Sequence, residues 1–299
     1  MSDSLLTLPE QTPRFRAPAG ARSLFAALRI IHPFPTVLNV AATGGLALVA
    51  THGAPHAPTL LRMLALMFCA QSAIGVTNDY FDRDLDAHTK PWKPVAAGLV
   101  SAPAARLLAL GLVIITVALA ATLGRAGFAL ALVGLGSGLV YDAWLKRTAL
   151  SAIPYMVAIP TLPIWVWLTL DRGEPVLWWL LPVGALLGLA LHLANTLPDI
   201  ESDRSQGVVG LAHRLGPQRS MFVAWASFTA ALACTLAIAP VLNYDLRIYV
   251  PSVAVAAGCL AASIALYVVR RGAFALQFGF GALGFGSAVL AVGWLAAAT

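Results

Sequence analysis

Asn78-Asp79-Tyr80-Phe81-Asp82-Arg83-Asp84-Leu85-Asp86 closes an apolar run that begins near residue 59, and sets four carboxylates at the end of it. Such a run is long enough to cross roughly 30 Å of hydrocarbon as a helix. The acidic residues therefore fall where a span would meet water. A second window, Asn195-Thr196-Leu197-Pro198-Asp199-Ile200-Glu201-Ser202-Asp203, repeats the pattern N-x3-D-x3-D further along the chain. Seven of the 13 acidic residues sit in these two windows, so the rest of the sequence reads as scaffold for them.

The chain has 299 residues, of which 59% are hydrophobic and 11% charged. A soluble domain is roughly 25% charged, so a soluble globule is excluded. Apolar runs of spanning length recur without β-alternation, and in lipid a helix satisfies its own backbone hydrogen bonds. The expected fold is an all-α polytopic membrane protein, nine transmembrane helices around a central apolar cavity capped on the cytoplasmic side. The spans are predicted near residues 32–50, 59–79, 104–123, 126–143, 150–169, 176–196, 219–240, 248–269 and 275–296, with a Gly-rich hairpin at Gly124, Arg125 and Gly127 dividing the third from the fourth. Residues 1–28, rich in Pro and Arg, read as a flexible basic N-terminal arm without a cleavable signal peptide, and 29–299 as one domain. Cys69, Cys234 and Cys259 all fall in apolar runs with no metal-ligand spacing and read as small apolar residues.

The formal net charge of +6 does not point to nucleic acid, because the positions of the basic residues explain it. Fifteen of the 19 Lys and Arg fall on one side of the predicted spans, and Arg62, Arg125, Arg172 and Arg247 on the other. The positive-inside rule then places the N-terminus and both acidic windows in the cytoplasm and the C-terminus outside, in the cytoplasmic membrane if the source is bacterial.

On a continuous helix Asp79, Asp82 and Asp86 lie within about 60° of one another, and Asn195, Asp199 and Asp203 do the same. Stacked like charges repel, so a cation must offset them. Oxygen-only donors suit Mg2+ bridging a diphosphate. An EF-hand is disfavoured, because neither window has its glycine or its terminal glutamate. Lys93, Lys146, Arg147 and Arg204 lie on the same predicted side and would stabilise negative charge on a leaving group, although such residues also anchor helix ends in headgroups. Tyr80, Phe81, Trp92, Trp144 and Tyr155 are candidates for cation–π stabilisation, with packing or interfacial roles as the plainer reading. His192 leads His88 and His213 as a candidate base, again against a packing role. Thr36 and Asn39 are candidates to orient an acceptor, against simple helix contacts.

At these residues the chain resembles the UbiA superfamily of intramembrane prenyltransferases. The first window reads N-D-x2-D-x3-D and is followed by Lys90-Pro91-Trp92-Lys93-Pro94. The second is followed by D-R-S-Q-G and His213-Arg214-Leu215-Gly216, while Tyr141 with Lys146-Arg147 is similar to the family's middle Tyr/Lys motif. The likeness implies that Asn78, Asp79, Asp82 and Asp86 hold one Mg2+ and Asn195, Asp199 and Asp203 another. It also implies that Lys93, Lys146, Arg147, Tyr141 and Arg204 surround the diphosphate. Thr196 stands where many members have Asp, Gly210 where a Thr is common, and four residues rather than three separate Tyr141 from Lys146. The implied activity is Mg2+-dependent ionisation of an allylic isoprenyl diphosphate and transfer of the prenyl group to an acceptor, aromatic by expectation and otherwise unknown. A terpene cyclase of the same superfamily shares these motifs. An ion-coupled transporter is the remote alternative, since its carboxylates would sit near the midplane rather than at span ends.

Overall fold

The computed structural model describes residues 28–205 and 207–299, and all regular structure among them is helical. The predicted arm lies outside the described residues except for Leu28, and residues 28–30 are helical. The chain then forms α1 (Pro33–Thr51), α2 (Ala57–Phe81), the short α3 (Arg83–Thr89), α4 (Ala102–Ala121), α5 (Gly124–Ala143) and α6 (Ile153–Thr169). It continues through α7 (Leu180–Thr196), the short α8 (Ile200–Ser205) and α9 (Leu211–Leu215), then α10 (Pro217–Leu242), α11 (Leu246–Val269) and α12 (Ala273–Ala298).

Eight of these segments are long and apolar enough to cross a membrane, including Pro175–Asp199, which contains α7. The remaining predicted span, 150–169, the fifth along the chain, folds as the shorter α6 of 17 residues, with Pro160 and Pro163 inside it. Each proline lacks an N–H and removes one bond from the helical ladder. The predicted hairpin is present, with Gly124, the first residue of α5, in the left-handed region at φ 78°. Large apolar side chains such as Phe34, Leu107, Trp178, Val268 and Phe285 face outward, as expected where lipid is the solvent. Cys69, Cys234 and Cys259 lie half-buried in helices and unpaired.

Two central helices carry the acidic windows at the same end of the bundle. Helix α2 packs on α1, α4 and α5, and α7 packs on α6, α10 and α12. The contact between α6 and α7 is close because Gly188 faces backbone. A Cβ there would come within 2.5 Å of the Tyr155 carbonyl oxygen. Without hydrophobic drive between helices in lipid, such small residues set the distance of approach. The result brings Tyr155 beside Asn195 at the start of the second window.

Candidate active site

The first window is a helix with a joint. Helix α2 ends at Phe81, Asp82 leaves helical geometry at φ −92° and ψ 2°, and α3 resumes at Arg83. The hydrogen bonds Asp82 N to Asn78 O (2.9 Å) and Asp86 N to Asp82 O (2.7 Å) carry the helical register across the break. Asp79, Asp82 and Asp86 thus share one face, as their spacing predicts, and all three are buried, whereas Asp84 points to solvent.

Such burial needs countercharge, and the protein supplies it. Lys93 Nζ lies 3.0 Å from Asp79 Oδ1, 2.8 Å from Asp86 Oδ2 and 3.0 Å from Asn78 Oδ1. Lys146, on the 3-10 turn Leu145–Arg147 that follows α5, reaches Asp82 at 2.6 Å, with Arg147 at 3.6 Å. Asn78 Nδ2 donates both to Asp82 Oδ2 (3.0 Å) and to Asp142 Oδ1 (3.1 Å). Desolvation raises the Asp86 carboxyl, Lys93 opposes this, and the charges of Asp82 and Asp79 add to it. Burial pulls the Lys93 ammonium down, but Asp79 and Asp86 outweigh it and hold the group above the usual lysine range.

The second window is more open. Helix α7 stops at Thr196, Pro198 sits in the 3-10 turn Leu197–Asp199, and α8 follows. Asp199 Oδ2 is paired with Lys90 Nζ at 2.8 Å, so a lysine from the loop after the first window reaches the second. Asp203 lies 3.8 Å from His213 Nε2. Burial pushes its carboxyl up to about 6; the charges of Asp199 and Asp82 add to this, while Lys90 and Lys146 oppose it. The Lys90–Asp199 pair thus ties the loop that follows the first window to the second, and the two windows lie at the same end of the bundle. Arg204 is exposed near His213, whose imidazole is lowered by burial and then by that guanidinium.

Beneath the charged layer lies an aromatic one. Tyr141 meets Tyr155 edge-on at 5.5 Å and His192 at 5.9 Å, and Asn195 Nδ2 donates to Tyr155 Oη at 3.2 Å. Of the five aromatic candidates only Tyr155 is brought here. Trp92 and Trp144 are exposed, and Tyr80 and Phe81 stack on each other, with Arg83 over the Tyr80 ring. His192 Nε2 pairs with Ser151 Oγ at 2.9 Å, which also accepts from Leu211 N at 2.9 Å. His88 Nδ1 meets the Asp84 carbonyl, and Asn39 and Thr36 bond to nearby backbone carbonyls.

Sequence reading passed over four side chains that the fold places in or beside this layer: His32, 2.9 Å from Asp79 Oδ1, together with Lys90, Asp142 and Ser151. Two of them carried a signal: Asp142 is a lone carboxylate in an apolar run immediately after Tyr141, and Lys90 opens the family-like Lys90-Pro91-Trp92-Lys93-Pro94 stretch.

No three His, Cys, Asp or Glu side chains among the described residues already converge as a metal site. The donors nevertheless suit a hard divalent cation, since carboxylate and amide oxygens predominate and the Asp79 and Asp142 Oδ2 atoms are buried without a hydrogen-bond partner.

Residues 38–280 match the UbiA prenyltransferase family. The chain is 30% identical over 222 residues to digeranylgeranylglyceryl phosphate synthase of Methanoregula boonei, covering 72% of this chain and 76% of that protein. It is 28% identical over 199 residues to 4-hydroxybenzoate octaprenyltransferase of Vibrio cholerae, covering 66% and 70%. A solved structure of a UbiA homolog from Archaeoglobus fulgidus bound to GPP and Mg2+ shares the fold, with TM-score 0.71 at 16% identity over 89% of this chain and 99% of that one.

Proposed function

Since the chain belongs to the UbiA prenyltransferase family and is an integral membrane protein, we propose that it uses Mg2+ to ionise an allylic isoprenyl diphosphate and transfers the prenyl group to an acceptor. The observation that carries this reading is the meeting of both acidic windows at one end of the bundle, with lysines already lying on their carboxylates.

Asn78, Asp79, Asp82 and Asp86 would hold one Mg2+, and Asn195, Asp199 and Asp203 a second. Bound there, Mg2+ would supply positive charge to a departing diphosphate. Lys93, Lys146 and Arg147 do the complementary work. Each is a cation at a first-window carboxylate that can pass to phosphate oxygens, and their pairing at rest offsets the negative charge buried there. Tyr141 and Arg204 complete the diphosphate shell from the aromatic layer and the rim. The apolar spans exclude water from the prenyl chain, and the Tyr141–Tyr155 pair offers ring faces to a carbocation.

The distribution of Lys and Arg supports a cytoplasmic side for the windows and the N-terminus, with the C-terminus outside. Residues 29–299 act as one domain.

The test is release of diphosphate and formation of prenylated product by purified protein with geranyl, farnesyl and geranylgeranyl diphosphates and Mg2+. Assays run with 4-hydroxybenzoate, with a glyceryl phosphate lipid, and with no acceptor. Turnover lost in Asp82→Ala and Asp199→Ala supports the reading. No release at any chain length, or full activity in both variants, refutes it. Release with hydrocarbon product and no acceptor assigns cyclase chemistry instead.

A further inference from the structure

His32 stands immediately before α1 in the left-handed region, at φ 49° and ψ 68°, and its side chain makes no capping bond to that helix. A residue with a Cβ takes this conformation at a cost, and such outliers persist where surrounding contacts over-determine them. The contacts here are specific. The imidazole lies against α2 at Gly75, where an added Cβ would come within 2.9 Å of the ring Cγ and 3.2 Å of Cδ2. One helical turn beyond Gly75 is Asp79, 1% exposed, and His32 Nε2 lies 2.9 Å from its Oδ1. Lys93 Nζ takes the same oxygen at 3.0 Å. Asp79 Oδ2 is buried and has no hydrogen-bond partner.

A strained backbone, a glycine seat and two donors on one oxygen therefore all fix the same carboxylate. Of the two buried imidazoles among the described residues, His192 pairs with a serine and His213 approaches Asp203 only to 3.8 Å, whereas the half-buried His32 lies directly on a carboxylate. We propose that His32 is a positioning residue that, seated on Gly75, pins Asp79 Oδ1 and keeps Oδ2 free as the oxygen that binds a divalent cation at the first window. This rests on the cation reading of the acidic windows. Partners that orient a ligating carboxylate are typically worth about 10–100-fold in metal affinity.

The experiment measures Mn2+ affinity of the full-length protein in detergent by electron paramagnetic resonance, beside its melting temperature. His32→Gly suits the left-handed backbone and leaves Lys93 on Asp79, so the protein should still fold and melt cooperatively while Mn2+ binding weakens about 10–100-fold. His32→Gln restores an N–H donor and recovers part of the loss. Gly75→Ala leaves every polar group in place yet displaces the ring, and weakens binding in the wild-type background but adds nothing to His32→Gly. Unchanged affinity in His32→Gly or Gly75→Ala overturns the proposal, as does a Gln variant no better than the Gly one. If the wild type binds no Mn2+, or Asp79→Ala binds it normally, the cation reading fails and this proposal with it. Wild-type binding that depends on Asp79 but not on His32 overturns this proposal alone.

Discussion

Lys90 Nζ stands 2.8 Å from Asp199 Oδ2, so the loop behind the first acidic window is ion-paired to the second. Both side chains keep substantial solvent contact, and exposed pairs contribute about 0–1 kcal/mol. Lys90→Met should therefore melt close to the wild type. It also removes a cation that competes for Asp199, so Mn2+ affinity at the second window should rise several-fold. A binding titration checks this, and an unchanged or weaker affinity would show that the lysine does not compete there.

Lys146 and Asp82 form the opposite case. Both are nearly buried, and their 2.6 Å contact sits beside Asp142 and Asn78. Removing one partner of a buried pair costs about 3–5 kcal/mol, because the other charge is stranded. Lys146→Met should melt well below Lys90→Met in the same detergent. Equal melting temperatures would mean that Asp82 finds another countercharge, with Arg147 at 3.6 Å the nearest.

Gly210 holds the segment after the second window against the lysine turn. A Cβ at 210 would come within 2.7 Å of the Lys146 carbonyl oxygen and 3.0 Å of Ser151 Oγ. Gly210→Ala should cost about 1–3 kcal/mol, the range for overpacking, and reduce turnover by shifting Lys146. Gly134→Ala, where the added atom meets open space, should cost nothing. Thermal melts and a turnover assay of the two variants side by side check the contrast.

Orientation can be read by labelling. In a background lacking Cys69, Cys234 and Cys259, cysteine placed at Arg62 should react with an impermeant maleimide added outside intact cells. Cysteine at Arg271 should react only after permeabilisation. The reverse pattern would invert the topology.

The helices were legible because lipid leaves a backbone few choices. Apolar runs of spanning length become helices, Gly124 turns the chain between α4 and α5, and spacing by three and four puts Asp79, Asp82 and Asp86 on one face. The two windows were legible for the same reason, since both end central spans. Helix α6 was less so. Its hydropathy reads as one more span, while its two interior prolines and shorter length emerge as a helix fitted closely to α7 at Gly188.

The sequence by itself determined what is local: the helical class, the register of each acidic face, and the repeat that makes the windows a pair. Only the tertiary structure decided which cation meets which carboxylate. Lys90 crosses to Asp199 while Lys93, three residues on, folds back to Asp79 and Asp86, and His32 reaches Asp79 from before the first helix. The physical reason is range. Helical periodicity constrains neighbours within a few residues, whereas the His32–Asp79 and Lys90–Asp199 contacts join segments 47 and 109 positions apart, which become neighbours only when the helices pack, and the Lys93 contacts need the loop after α3 to fold back.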